Sequence, residues 1–406
     1  MVPRAQPRGP AARLDQVSAS ATLAMNARVD ELRASGKLVL DFGVGEADFD
    51  PPPGVVSDAA ALLESAHGYA PVLGTAELRD AVAEASERDR GYRPDAAQVA
   101  VTFGAKQALF NALLALVDAG DEVLIPAPYW VSHPAQVELV GATPKFIQAR
   151  KADRWKVQPA ALERALGPKV KALILCSPGN PSGVTYSAEE LERLAEVLRR
   201  HDCYILSAEG YHAFVYGPAG HASLARVAPD LLERIVIIDS VSKTYALAGW
   251  RVGWAIASLR VIRALEKVQS QSTSGVSGFA QGVATAALSG PQAVVLAARE
   301  RFEATRRQFA EGLGQIPGIA CEVPDGGLYV LPDVTGLYGV LHQGRELSSA
   351  RDVGLWLLDQ AGVVGVDGDA FGAPGHLRFT LSTDPARVEQ ALTLIRAAVD
   401  AARREA

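Results

Sequence analysis

A single lysine in the stretch 240–253, SVSKTYALAGWRVG, constrains the chain more than any other feature. The stretch follows the apolar run 235–238, which predicts a buried strand. Lys243 lies among small and hydroxyl residues, and Arg251 follows eight positions later. A half-buried lysine beside another cation loses proton affinity, so its neutral amine can attack a carbonyl and form a Schiff base. Because the planar guanidinium and the nearby hydroxyls suit an anion, the stretch indicates an amine nucleophile beside an anion site.

Three further strand-like runs each end in a loop suited to ligand binding. The run 99–103 leads into GAKQ at 104–107, where a long apolar-periodic helix begins. Free amides and the helix dipole make such a junction a ready anion site. The run 170–176 leads into SPGNPSG, a loop stiffened by prolines, and the run 203–207 leads into AEGYH. These loops are candidates for one shared site.

Strand and helix patterns alternate from about residue 50 to 285 without an internal repeat. This order predicts a mostly parallel sheet covered by helices on both faces, with ligands beyond the carboxyl ends of the strands. A long charged helix at about 291–314 leads into a smaller α+β unit, which includes a strand at 377–381 and a final helix from 385. We therefore expect an α/β fold with a large and a small domain.

Length, charge and cysteine content narrow the class of protein. A chain of 406 residues, 49% of them hydrophobic, suits a globular protein of two or three domains. A net charge of -6 gives no general attraction to nucleic acid or anionic membranes, and no apolar run is long enough for a membrane span or signal peptide. Cys176, Cys203 and Cys321 are widely spaced, which indicates free thiols in a reducing cytosol. We expect a cytoplasmic protein without a metal site.

Two of these motifs resemble signatures of a known family. The lysine motif SxSKxxALxGxRxG and the NPSG at 180–183 resemble those of the pyridoxal-phosphate (PLP) aminotransferases of the aspartate aminotransferase superfamily, fold type I, class I/II. The resemblance covers roughly residues 17–403, and GAKQ is similar to the GGKQ of the bacterial aspartate aminotransferase-like branch. It implies PLP as cofactor, a seven-stranded-type sheet in the large domain, and a homodimer whose active sites are shared across the interface.

The resemblance also implies a division of the chain into four parts. These are a disordered amino terminus at 1–16, an arm at 17–48 that joins the small domain, a large PLP-binding domain at 49–288 and a small domain at 289–406.

The resemblance implies a set of site residues. Lys243 would hold the cofactor as a Schiff base and move a proton as general acid and base. The residues implied in cofactor binding are Tyr69, Gly104, Ala105, Lys106, Trp130, Asn180, Ala208, Tyr211, Ser240, Ser242, Lys243 and Arg251. Those implied in substrate binding are Gly45, Lys106, Trp130, Asn180 and Arg378.

Several of these residues have distinct implied roles. Trp130 would stack on the pyridine ring, while Asn180 and Tyr211 would contact the phenolic oxygen. Ser240, Arg251 and the amides of 104–106 would hold the phosphate, and Arg378 would bind the substrate α-carboxylate as a bidentate pair. Tyr69 and the polar loop 271–274 would reach the partner subunit's cofactor phosphate. Lys106 would meet a distal carboxylate, which suggests an aspartate-like substrate.

The sequence departs from the family pattern at one position. The family's Ser-Asp-Glu-x-Tyr reads here Ser207-Ala208-Glu209-Gly210-Tyr211, so alanine stands where an aspartate would salt-bridge the pyridine nitrogen. Glu209 could replace it only through a local bulge, because neighbouring strand side chains point to opposite faces. Three explanations stay open: an engineered substitution, chemistry that needs a weaker electron sink or another protonation partner, and lost catalysis.

The expected function is therefore a PLP-dependent aminotransferase that acts on an amino acid with a distal anionic group. The alternative is a PLP-dependent lyase, a β/γ-replacement enzyme or a cyclising enzyme of specialised metabolism, which Ala208 and Gly210 favour. A third alternative is a non-catalytic effector-binding protein. The acidic net charge and the short segment before the fold argue against a DNA-binding regulator of that kind.

Overall fold

A computed structural model of the chain describes residues 9, 11–16, 22–55, 67–342 and 344–405. Most of the predicted arm's small-residue start, at 17–21, lies outside these residues. Within the amino terminus that was predicted to be disordered, Ala12–Gln16 forms a 3-10 helix. The first strand, β1 (Leu40–Asp41), lies within the predicted arm at 17–48.

A seven-stranded sheet forms the centre of the larger part of the chain, with the strand order β2-β8-β7-β6-β5-β3-β4. Its strands are β2 (Val99–Thr102), β3 (Glu122–Ala127), β4 (Thr143–Gln148), β5 (Val170–Cys176), β6 (Tyr204–Ala208), β7 (Ile235–Ser240) and β8 (Gly253–Ile256). Strands β4, β3, β5, β6 and β7 pair in parallel, whereas β8 runs antiparallel to both of its neighbours. The predicted mostly parallel sheet is confirmed.

Helices account for most of the remaining regular structure. They are α1 (Thr22–Ala34), α2 (Ala76–Arg90), α3 (Ala105–Leu116), α4 (Ser132–Leu139), α5 (Pro159–Ala165), α6 (Ala188–Leu198), α7 (Leu224–Val227), α8 (Val241–Thr244), α9 (Leu259–Ser270), α10 (Gly278–Ser289), α11 (Ala293–Gly314), α12 (Ala350–Ala361) and α13 (Pro385–Glu405). Local signals set several ends. The Thr75 hydroxyl caps α2 and Gly91 ends it in the left-handed conformation, while a capping box starts α6.

Alternation along the strands divides the core into two layers. In β5, Leu173 packs in one hydrophobic cluster with residues of α2, α6 and α10, whereas its neighbour Ile174 packs in another with α3 and α9. Successive strand side chains point to opposite faces, so an almost wholly apolar strand supplies both layers. The sheet is thus covered by helices on both faces, as the order of elements predicts.

A separate hydrophobic cluster unites the carboxyl-terminal residues with the start of the chain. It includes Phe42, Phe309 and Phe379, whose rings contact one another. Strand β1 pairs in parallel with β12, and β13, β14 and β9 form an antiparallel sheet. The later strands are β9 (Tyr329–Val330), β10 (Leu341–His342), β11 (Arg345–Glu346), β12 (Val363–Val364), β13 (Val366–Asp367) and β14 (Leu377–Thr380). The domain limits stay a prediction.

A buried charge cluster lies where β6 and β7 end. The Arg90 guanidinium donates to Glu209 at 2.7 Å and to Asp239 at 2.5 Å, and all three side chains are at most 2% exposed. His212 lies 3.2 Å from Asp239 and 3.5 Å from Asp89. Burial opposes its protonation and so does Arg90, but the two carboxylates raise the pKa of His212 to about 9. The cluster therefore holds His212 as a cation at neutral pH.

Two further observations concern the chain as a whole. Across the described ranges, no helix is both long and apolar enough to cross a membrane. Cys176, Cys203 and Cys321 are free thiols, and burial raises the pKa of the Cys203 thiol to about 11.

The charge cluster predicts how stability depends on pH. Because the pKa of His212 is higher in the fold, about 9, than the ordinary value of about 6.5, its stabilising charge is complete below pH 6.5 and is lost as the pH rises through 9. We expect the free energy of unfolding to fall over this window, measured by denaturant titration at each pH. His212→Gln should remove that part of the slope, whereas the exposed His67→Gln should not. Equal slopes in all three proteins would contradict the assignment.

Candidate active site and its family

A cavity of about 600 Å³ lies beyond the carboxyl ends of the parallel strands, where ligands of such sheets bind. Its walls bring together most of the site residues predicted from the sequence: Gly45, Ala105, Lys106, Trp130, Asn180, Ala208, Tyr211, Ser240, Ser242, Lys243 and Arg251. Two further predicted residues adjoin this lining. Gly104 lies against Arg251, and Arg378 donates a hydrogen bond to Asn180. Tyr69 is fully exposed and does not line the cavity.

Lys243 reaches the cavity from the short helix α8, directly after the buried strand β7. The Ser240 hydroxyl caps this helix by accepting the Ser242 N–H, which fixes the turn that presents the lysine. The Lys243 amine donates a hydrogen bond to the Gly45 carbonyl. Among the described residues, no carboxylate pairs with Lys243. A half-buried amine without an anionic partner is available to attack a carbonyl carbon.

One end of the cavity is suited to an anion. Helix α3 begins there after its N-cap residue Gly104, which adopts φ 86° and gives no side-chain cap. In the described part of the chain the amides of Ala105 and Lys106 are free for a ligand, whereas the Gly104 N–H donates to the Thr102 carbonyl at 2.8 Å. The Arg251 guanidinium lies against Gly104 and donates to the Ala248 and Phe103 carbonyls. Burial and then the charge of Arg251 lower the pKa of Lys106. Two cations without carboxylate partners in the described part of the chain thus face this end.

The opposite side of the cavity is a hydrogen-bonded chain of polar side chains. Asn180 donates through Nδ2 to the Tyr211 hydroxyl at 3.3 Å and accepts at Oδ1 from Arg378 at 3.2 Å. The Tyr211 and Tyr329 hydroxyls are 3.1 Å apart. Burial and the neighbouring Tyr329 raise the pKa of Tyr211 well above its usual value. The peptide bonds before Pro178 and Pro181 are cis.

Arg378 is a buried cation with unused hydrogen-bonding capacity. Only 6% of the residue is exposed, and its guanidinium lies 4.5 Å from the Tyr329 ring centre and 4.6 Å from that of Phe371. It donates to the Gly43 carbonyl at 2.8 Å, while its buried Nε has no hydrogen-bond partner in the described part of the chain. A guanidinium over two aromatic rings, with a donor left over, suits a carboxylate ligand.

Trp130 forms an aromatic wall of the cavity, and Lys106 and His133 both contact its ring. The Lys106 ammonium lies 4.9 Å from the Trp130 ring centre, which is a cation–π distance. His133, which the sequence analysis missed, meets Trp130 edge-on at 5.5 Å and also lines the cavity. Burial lowers the pKa of His133 to about 4, so its imidazole is neutral. The spacing of three residues after Trp130 could have identified it, because such residues share a face of a helical turn.

Ala208 faces the cavity, and Glu209 does not. The pairing of β6 with β5 and β7 is in continuous register through Ala208, so no bulge turns Glu209 inward. Glu209 accepts hydrogen bonds from Arg90, His221, Ser207 and Ser223, all on the other side of the strand. Burial opposes its ionisation, but His221 and Arg90 lower the pKa of Glu209 to about 2. The Glu209 carboxylate is therefore part of the buried charge cluster and does not face the cavity.

The chain matches a known protein family over most of its length. The family model described as aminotransferase class I and II matches residues 37–395. The chain belongs to this family. It is 38% identical over 371 residues to an aspartate aminotransferase of Streptomyces avermitilis, covering 91% of each protein.

Solved structures agree with the sequence comparison. The aspartate aminotransferase of Rhizobium meliloti superposes with a TM-score of 0.94 at 35% identity, covering 97% of this chain and 99% of that one. The Thermus thermophilus aspartate aminotransferase with maleate gives a TM-score of 0.89 at 35% identity, with 97% and 100% coverage. This protein is therefore a PLP-dependent aminotransferase of fold type I.

The residues of the aminotransferase cavity fit PLP. Lys243 offers an amine for the aldehyde, and Trp130 offers a flat wall for the ring. The phosphate would meet the free amides of α3, together with Arg251. The lack of a side chain at Gly104 leaves room for the guanidinium, because a Cβ there would lie 2.6 Å from Arg251 Nη2.

Gly104→Ala tests this anion site. The new methyl would displace the Arg251 guanidinium, and alanine is strained at φ 86°. We expect PLP to bind at least about tenfold more weakly, roughly 1.4 kcal/mol, in equilibrium dialysis of the aminotransferase. Gly167→Ala, where an added Cβ has nothing within 4 Å, is the matched control. Unchanged PLP affinity in Gly104→Ala would refute the anion site.

Proposed function

We propose that this aminotransferase acts on an amino acid with a distal anionic group, such as aspartate, and on the corresponding 2-oxo acid. The observation that carries the proposal is the Lys106 ammonium inside the cavity, over Trp130 and without a carboxylate partner among the described residues. Arg378 is a second cation on the other side of Asn180. Two separated cations suit a substrate with two carboxylates.

The named relatives support the same substrate class. The Streptomyces relative is an aspartate aminotransferase, and the Thermus structure is of an aspartate aminotransferase with maleate, a dicarboxylate. All the relatives reported above are aminotransferases, so we do not propose the lyase, replacement, cyclising and effector-binding alternatives.

Bound PLP supplies an aldehyde that condenses with amines and a ring that withdraws electrons from the substrate. Lys243 is then the proposed base that takes the proton from the substrate Cα, because its amine enters the cavity from α8 beside Gly45. Arg378 would grip the α-carboxylate with its guanidinium, which would fix the direction of that Cα–H bond. Lys106 would hold the distal anion.

The remaining roles concern the cofactor. Ser240, Ser242, Arg251 and the amides of 105 and 106 would bind its phosphate, and Trp130 would stack on its ring. The predicted Gly104 amide is not part of this set, because it donates to the Thr102 carbonyl. Asn180 and Tyr211 would hydrogen-bond the phenolic oxygen, and their mutual contact of 3.3 Å already orients both groups. Gly45 would lie beside the substrate, because it lines the cavity, and it stands where any Cβ would collide with the Tyr329 hydroxyl.

A homodimer with shared sites is part of the proposal. Tyr69 is fully exposed on its own chain, which agrees with a role in the partner's site. The loop 271–274 is exposed too, and Thr273 accepts a 2.7 Å hydrogen bond from Gln107 near the start of α3. Both elements would complete the phosphate end of the neighbouring cavity. The cytoplasmic location stays a prediction.

Lys106→Ala tests the substrate class. Loss of one charge-assisted hydrogen bond costs about 1.5–3 kcal/mol, so kcat/KM for aspartate should fall at least about tenfold while kcat/KM for alanine changes little. Lys106→Arg should keep part of the preference, and Lys171→Ala, on an exposed part of β5, should keep all of it. An unchanged aspartate-to-alanine ratio in Lys106→Ala would sink the proposal.

Lys243→Ala tests the identity of the reactive amine. Borohydride reduction of the loaded wild-type enzyme should fix PLP to one peptide, the one that contains Lys243, as read by mass spectrometry. Lys243→Ala should show no such mass increase, whereas Lys106→Ala should show it in full. Labelling of another lysine in the wild-type enzyme would refute the assignment.

A further inference from the structure

The floor of the cavity is a row of three uncharged side chains across adjacent strands. Cys176 at the end of β5 is in register with Ala208 of β6, which is in register with Ile238 of β7. All three residues line the cavity. A thiol, a methyl group and a branched alkyl chain offer no counter-charge to a cation.

The chemistry of the cofactor decides which of its atoms meets this floor. In PLP the ring nitrogen is para to the ring carbon that carries the aldehyde, and the two neighbouring ring carbons carry the phosphate arm and the phenolic oxygen. The aldehyde would be held at Lys243, the phosphate at α3 and Arg251, and the phenolic oxygen at Asn180. The nitrogen would then point away from Lys243, toward the floor at Ala208.

The nearest carboxylates on these strands cannot turn toward that nitrogen. Glu209 is held by four hydrogen-bond donors, and Asp239 by Arg90, His212 and the Ser240 amide. Both side chains are at most 2% exposed. Turning either one inward would leave Arg90 buried without one of its two anions, which costs several kcal/mol.

His133 is a titratable group that lines the cavity beside Trp130. It is 3% exposed and sits edge-on to Trp130. Burial keeps its pKa at about 4, so it is a neutral imidazole that can donate a hydrogen bond but cannot balance a positive charge. The charged residues of the cavity lining are Glu46, Lys106, Lys243 and Arg251. Its carboxylate, Glu46, follows Gly45, whose carbonyl accepts from Lys243, and so lies at the Lys243 end of the cavity and away from this floor.

We infer that this aminotransferase binds PLP with its ring nitrogen unprotonated, and that the methyl group of Ala208 determines this state. A neutral pyridine withdraws electrons less strongly than a pyridinium. Loss of the substrate Cα proton to Lys243 is therefore slower than it would be with a carboxylate at residue 208.

Solid-state ¹⁵N NMR of the holoenzyme, loaded with PLP labelled at the ring nitrogen, reads the protonation state directly. At pH 7.5 we expect the chemical shift of a neutral pyridine in the wild-type enzyme. Ala208→Asp should move the signal to the pyridinium range, whereas Ala208→Asn, of similar size but uncharged, should not. A pyridinium shift in the wild-type enzyme would overturn the inference. Cofactor loading is read separately from visible absorbance, so failure to bind PLP is not mistaken for a protonated nitrogen.

A second measurement tests the kinetic consequence. Washout of deuterium from [2-²H]aspartate should be at least tenfold faster in Ala208→Asp than in the wild-type enzyme, about 1.4 kcal/mol in barrier. Ala208→Asn controls for the change in side-chain volume. A washout rate in Ala208→Asp no faster than in the wild-type enzyme would refute the claim that Ala208 limits proton removal.

Discussion

The buried guanidinium of Arg90 is the interaction on which the site depends. It comes from the last residue of α2 and binds both the carboxylate that follows β6 and the one within β7. Removing one partner of such a buried pair costs about 3–5 kcal/mol, because the other charge stays buried. The ends of two adjacent strands are therefore fixed relative to each other. Ala208 and Ser240 sit on those ends, and Lys243 follows in the next turn.

Along β6 and β7, residues of the cavity alternate with residues of the charge cluster, because successive strand side chains point to opposite faces. Glu209 and Asp239 face the charge cluster, and their neighbours Ala208 and Ile238 face the cavity. Neighbouring residues thus supply the buried charge cluster on one side of the strands and the uncharged floor of the cavity on the other. Each carboxylate is hydrogen-bonded within the cluster, where Arg90 pairs with both of them, and neither side chain points toward the floor.

Much of the site could be predicted because its residues follow strands in recognisable loops. Lys243, Asn180 and Arg251 belong to motifs with fixed spacing, and the lining of the cavity brings them together. Contacts made through tertiary packing could not be foreseen. Tyr329 reaches Tyr211 from a strand far along the chain, and no spacing encodes that meeting. The antiparallel direction of β8 also has no local signal, because direction depends on how the chain crosses the sheet.

The pairing of β1 with β12 has a consequence for the reactive lysine. The segment after β1 carries Gly43, whose carbonyl accepts from Arg378, and Gly45, whose carbonyl accepts from Lys243. Two backbone oxygens, two residues apart, thereby bind Arg378 and Lys243 to one short peptide. Removal of this amino-terminal segment would take an acceptor from both cations at once and would also remove Phe42 from its hydrophobic cluster, so the same few residues link the packing of the core to the cavity.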